Sequence, residues 1–155
     1  MGNPSYPLSI GASYLIAYGL PVFCAFLGWM AVSLQGKRVQ FKLAQLVSYV
    51  VTIGLSSALQ LAVEVEIGMM VSGEDPEVSG YLPIVPWMAI CLASLWMLAG
   101  HLTCSALFLP KNNATEKEMT HRADLRVSVY AILICFFGSA FSHFCLLLRV
   151  LFMTM

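Results

Sequence analysis

Four long apolar runs alternate with three short polar ones along the chain, at about residues 8–34, 43–71, 82–109 and 127–152. Each is longer than the roughly 20 residues a helix needs to cross a hydrocarbon core. Joined by short connections, they predict an all-α integral membrane protein, a four-helix transmembrane bundle in a single domain. Runs of this length exceed the bilayer core, so tilt or projection past the headgroups is expected. Pro21 stands in the middle of the first run and predicts a kink or a widened turn there. Pro83 and Pro86 fall in the opening turn of the third, where proline is accepted, and Pro110 stops it.

The second run carries a finer pattern. Ser48, Thr52, Ser56, Gln60 and Glu64 recur every fourth residue within otherwise apolar sequence. That spacing draws one polar line along a helix, drifting slowly around it because four residues slightly exceed a turn. The hydroxyls call for no function, since each bonds its own backbone or a neighbouring helix for about 1 kcal/mol or less. Gln60 and Glu64 are costlier, an amide and a carboxyl one turn apart that must face protein or water. Glu66 follows closely and reaches towards the headgroups. Apart from Glu64 and Glu66, the only charge inside a span is Arg149 in the fourth run, which also holds His143 at a similar depth. The first expectation is therefore an intramembrane polar lock of Gln60 and Glu64 with His143 or Arg149. In it Glu64 either bonds as a neutral acid or pairs with a cation. The second is that the same residues form a path for an ion or a proton.

Charge changes this picture by orienting it. Only 10% of residues are charged and 59% are hydrophobic, with a mean hydropathy of +0.82. A soluble domain carries about 25% charged residues, so this chain has too few to cover a water-facing surface. Lys37, Arg38 and Lys42 occupy the first connection, and Lys111, Lys117, Arg122 and Arg126 the polar segment 111–126. The second connection holds only the acids Glu74, Asp75 and Glu77. The positive-inside rule then places both basic connections on the cytoplasmic or matrix side, and the N- and C-termini on the other. The 111–126 segment interleaves both signs and reads as the polar inner loop, with room for a short surface helix. Trp87 and Tyr81 suit one interface, Trp29 and Tyr130 the other. Asn113-Ala114-Thr115 fits a glycosylation pattern but lies on the inner side, and it reads as a chance match. The net charge of zero gives no reason to expect nucleic acid as a partner.

The five cysteines Cys24, Cys91, Cys104, Cys135 and Cys145 all lie in apolar runs and read as buried small hydrophobes, not as a disulfide framework. The N-terminal apolar run lacks a basic lead and is too long for a cleaved signal. Gly138 with Ser142, Ser139 with His143 and Ala89 with Ala93 are small residues at one-turn spacing, fit for close helix approach. His101 and His143, the histidines within spans, are the weak candidates for bis-histidine haem ligation. Their depths differ by roughly 13 Å at the helical rise. No serine-hydrolase, zinc-protease or phosphate-loop motif is present, and neither a cofactor nor a metal is expected beyond bound lipid. The leading expectation is thus a non-catalytic accessory or scaffolding subunit of a larger membrane complex, with other membrane subunits and lipids as partners. Thiols in apolar surroundings favour an organellar energy-converting membrane, the mitochondrial inner membrane first. A small channel or transporter using Gln60 and Glu64 comes second, and a membrane enzyme or haem-binding subunit third.

Overall fold

The structure, a computed structural model, describes residues 15–72, 85–109 and 117–154; the side chains of residues 64, 67–72, 85, 117–121 and 147–154 lie outside the described part. Helix α1 runs Leu15–Leu34, α2 Leu43–Ser72, α3 Val85–Phe108 and α4 Lys117–Thr154. All four are long and apolar enough to cross a membrane, and no strand occurs among the described residues. The fold is an all-α four-helix bundle.

Proline chemistry shapes α1. Its first five residues, Leu15–Gly19, form a π-helical turn, and a regular α-helix follows over Leu20–Leu34. Pro21 has no N–H and its ring would crowd the carbonyl four residues back, so the chain widens just before it. At the other end the helix closes with Gly36 at φ 63°, while Gly36 N–H bonds Ser33 O at 3.1 Å and Lys37 N–H bonds Val32 O at 3.1 Å. This is a Schellman turn, and it needs the left-handed residue that glycine supplies without strain. Helix α4 starts earlier than the 111–126 loop reading implies, because residues 117–126 are already helical. No glycine or proline interrupts the sequence between Pro110 and Gly138, so one helix runs through both the polar and the apolar part. Its 38 residues make it about 57 Å long, well beyond a ~30 Å core.

The packing is unequal. In α3, 56% of the membrane-spanning stretch is buried, against 22% in α1 and 28% in each of α2 and α4. Helix α3 is therefore the centre, packed most extensively on α4 and α1 and also on α2. Helices α1 and α2 follow one another in sequence yet make no extensive contact, because they lie on opposite flanks of the α3–α4 pair. Glycines mark the tight crossings. A Cβ on Gly28 would stand 2.8 Å from the Thr103 backbone nitrogen, and one on Gly100 3.1 Å from Ala131 Cα. Backbones meet at these points without intervening side chains, the usual way that membrane helices gain contact area.

Outward faces are greasy: Val47, Val50, Val51, Leu55 and Leu59 of α2 are exposed, while Gln45, Thr52, Ser56 and Gln60 of the same helix are buried. That inversion is stable only where the surrounding solvent is hydrocarbon. Replacing Gly28 by alanine should cost about 1–3 kcal/mol, because α1 and α3 would have to part. Gly54, whose added Cβ would meet nothing within 4 Å, should accept alanine at no cost or with a small gain. Unfolding of the two variants in mixed detergent checks the pair, and equal midpoints would contradict the crossing.

Candidate functional site

The buried polar residues gather along the side of α2 that faces α3 and α4, and a constant register organises them. Lys42 pairs with Asp124, Gln45 Nε2 donates to Ser128 Oγ at 3.0 Å, and Ser56 Oγ and Ser139 Oγ are 2.7 Å apart. Every one of these α2–α4 contacts spans 82 or 83 residues. Helices α2 and α4 therefore run parallel in a fixed register. One further turn sets Gln60 level with His143, and both are buried, at 5% and 6% exposure.

At the basic-loop end, Gln45 joins three elements. Its Oε1 accepts the Lys42 backbone N–H at 3.1 Å, half of a capping box that closes the start of α2. Its Nε2 reaches the Ser128 hydroxyl, which itself donates to Asp124 O at 2.9 Å. One turn deeper, Tyr49 Oη lies 2.8 Å from His101 Nδ1. Phe41 stacks on the other side of that imidazole, ring centroids 4.3 Å apart and planes inclined by 23°. His101 Nε2 and Ser105 Oγ, with 1% and 0% residue exposure, have no hydrogen-bond partner.

Further along, Tyr49, Ala93, Met97, Ala131 and Cys135 form a packed layer with Ile53 and Ile132 against it. Beyond it come Ser56, Ser139 and Gln60, whose Nε2 donates to Ser56 Oγ at 3.2 Å while its Oε1 has no partner. Trp96 of α3 lies across Gly138 and donates from Nε1 to Ser142 Oγ at 2.9 Å. The Gly138–Ser142 pair thus makes room for an indole, where its spacing had been expected to admit a neighbouring backbone. Two polar levels are joined within themselves and separated from one another by an apolar layer.

Of the residues expected to form the lock, Gln60 and His143 are brought to one level of the interior. The side chains of Glu64 and Arg149 lie outside the described residues, and Glu66 is exposed. Ser48, the first residue of the polar line, is also exposed and bonds back to Ala44 O at 3.0 Å. Its inward place is taken by Tyr49 and Gln45. His101 and His143 are not brought together: Gly100 of α3 sits against Ala131 of α4, and counting from there puts the two imidazoles about 20 Å apart along the axis. Among the described residues no three His, Cys, Asp or Glu side chains converge to hold a metal. All five cysteines are free thiols.

The sequence pattern passed over Gln45, Tyr49, Phe41, Trp96 and Ser105. The first two were within reach, since the drift of a four-residue line predicts a step of three somewhere along it. Phe41 and Trp96 act through tertiary contacts that leave no local trace. No family model, no curated protein and no solved structure matches the chain.

A double-mutant cycle of Ser56→Ala and Ser139→Ala should give a coupling of about 0.6 kcal/mol, the average for side-chain hydrogen bonds between membrane helices. In a cysteine-free background, cysteines placed at positions 56 and 139 should join under mild oxidation, while cysteines at 56 and 128 should not. Joining of both pairs at one rate would contradict the parallel register.

Proposed function

We propose that this chain is a non-catalytic accessory or scaffolding subunit of a larger membrane assembly. One observation carries the reading: the interior polar groups are largely spent on bonds between helices, and an apolar layer of Ala93, Met97, Ala131 and Cys135 divides the two levels. Such an interior fixes shape and offers no continuous aqueous route. The outer surface, in contrast, is apolar and rich in aromatics, including Phe23, Phe26, Trp29, Phe137, Phe141 and Phe144. Lipids and the helices of neighbouring subunits are its natural partners. On the positive-inside rule, the basic connections face the cytoplasm or matrix and the two termini the other side. An organellar energy-converting membrane, such as the mitochondrial inner membrane, fits the free thiols.

A channel or transporter is the second reading, and the Gln60 amide oxygen favours it. That acceptor is buried and unpartnered at the level of His143, one turn from Glu64. An intramembrane polar group of this kind is a common mark of an ion or proton pathway.

The two readings separate cleanly. Solubilised in mild detergent, the chain should migrate with a complex far larger than its own 17.0 kDa. After reconstitution alone in vesicles it should carry no proton or cation flux. Sustained flux abolished by Glu64→Gln or Gln60→Leu would reject the accessory role and establish the pathway.

A further inference from the structure

One stripe of α3 is exposed along most of its length and buried at its end. Trp87, Cys91, Leu98, His101 and Ser105 follow one another by three, four or seven residues and so share a face. Trp87, Cys91 and Leu98 are exposed, whereas His101 and Ser105 are 1% and 0% exposed. The stripe opens between α1 and α2, which both pack on α3 without extensive contact with each other. Its buried end is where the connection 35–42 crosses α3: Lys37 Nζ donates to Ala106 O at 2.5 Å and Phe41 lies flat on the His101 ring.

Under that crossing are the two unpartnered polar atoms, His101 Nε2 and Ser105 Oγ. They stand one helical turn apart on one face, close enough for one ligand to meet both. His101 Nε2 carries the ring proton when the Tyr49 hydroxyl donates to Nδ1 and is an acceptor in the other tautomer, while the Ser105 hydroxyl can donate in either case. Two buried polar atoms with no partner in the protein point to a polar group supplied from outside the chain, and the Ser105 hydroxyl can donate to its oxygen.

We infer that this face of α3 is a binding site for one anionic phospholipid. Three zones succeed one another along it. Arg38 is exposed on the crossing connection, which also carries Lys37 and Lys42 and has no acid; these cations stand where a headgroup phosphate would lie. His101 and Ser105 lie about 10 Å and 5 Å in from the end of α3 at Phe108, the depth of an ester carbonyl. Leu98, Cys91 and Trp87 then present an exposed apolar face along which the acyl chain would lie. Lys37 and Lys42 already have partners in Ala106 O and Asp124, which leaves Arg38 as the main source of headgroup preference.

The test uses the full chain, stripped of lipid in detergent and then given dioleoyl phosphatidylglycerol or dioleoyl phosphatidylcholine, with retained lipid counted by native mass spectrometry. Wild type should keep one phosphatidylglycerol and melt higher in its presence. Ser105→Ala should lose retention of either lipid and the lipid-dependent rise in Tm. Without lipid its Tm should equal or exceed that of wild type, because an unpaired hydroxyl has been removed. Arg38→Gln should keep binding but lower the preference for phosphatidylglycerol roughly fivefold, the effect of one cation near an anionic lipid. The inference is overturned if no phospholipid stays bound, as for a pocket holding only water. It is equally overturned if both lipids are kept alike by wild type, or if Ser105→Ala retains lipid as wild type does.

Discussion

A hydroxyl, amide or imidazole inside hydrocarbon has no water to bond, so each must find a partner within the protein or from a neighbour. Most of this bundle follows from that constraint. Gln45 reaches Ser128, Tyr49 reaches His101, Ser56 reaches Ser139 and Trp96 reaches Ser142. Each bond is individually small in a membrane, of order 1 kcal/mol. Their common effect is registry: apolar faces of leucine and valine can slide along one another at little cost, whereas spaced hydrogen bonds match only in one alignment. The parallel offset of α2 and α4 is held in this way at both of its polar levels.

Close backbone approach supplies what hydrogen bonds do not. Gly28 against Thr103 and Gly100 against Ala131 bring α1 and α4 onto α3 from different sides. The hydrophobic effect does little between helices that lipid would cover equally well, so dispersion contact at such crossings carries the association. It also explains why α3, with Ala89, Ala93, Ala99, Gly100 and Ala106 along it, became the centre. Small residues placed at its crossings let α3 admit neighbours on more than one side.

Much of this was legible in the chain. Four apolar runs gave four helices, Pro21 foretold the widened turn in α1, and the four-residue repeat located the polar face of α2. The limits are physical. A four-residue period drifts about 40° per step, so the line that starts inside at Gln60 has left the interior by Ser48, and Tyr49 and Gln45 replace it. Small residues announce that something approaches closely but not what; beside Gly138 it is an indole. Helix adjacency is not written locally either, since nothing in α1 or α2 says that α3 will stand between them. That Gln60 and His143 stand at one level required the register, which the Ser56–Ser139 and Gln45–Ser128 contacts supply.

The lysine that reaches across α3 has a consequence for the order of the helices in space. Ala106 O would ordinarily accept the N–H of residue 110, but that residue is proline and has none; the Lys37 ammonium takes its place. The strap between α1 and α2 is thereby fastened to a helix synthesised after both. Its eight residues, 35–42, must span the width of α3, which at 8–10 Å per helix contact uses most of the ~26 Å that such a strap can reach. In the finished bundle α1 and α2 are therefore neighbours in sequence but not in space: α3 lies beneath the strap that joins them and is latched to it.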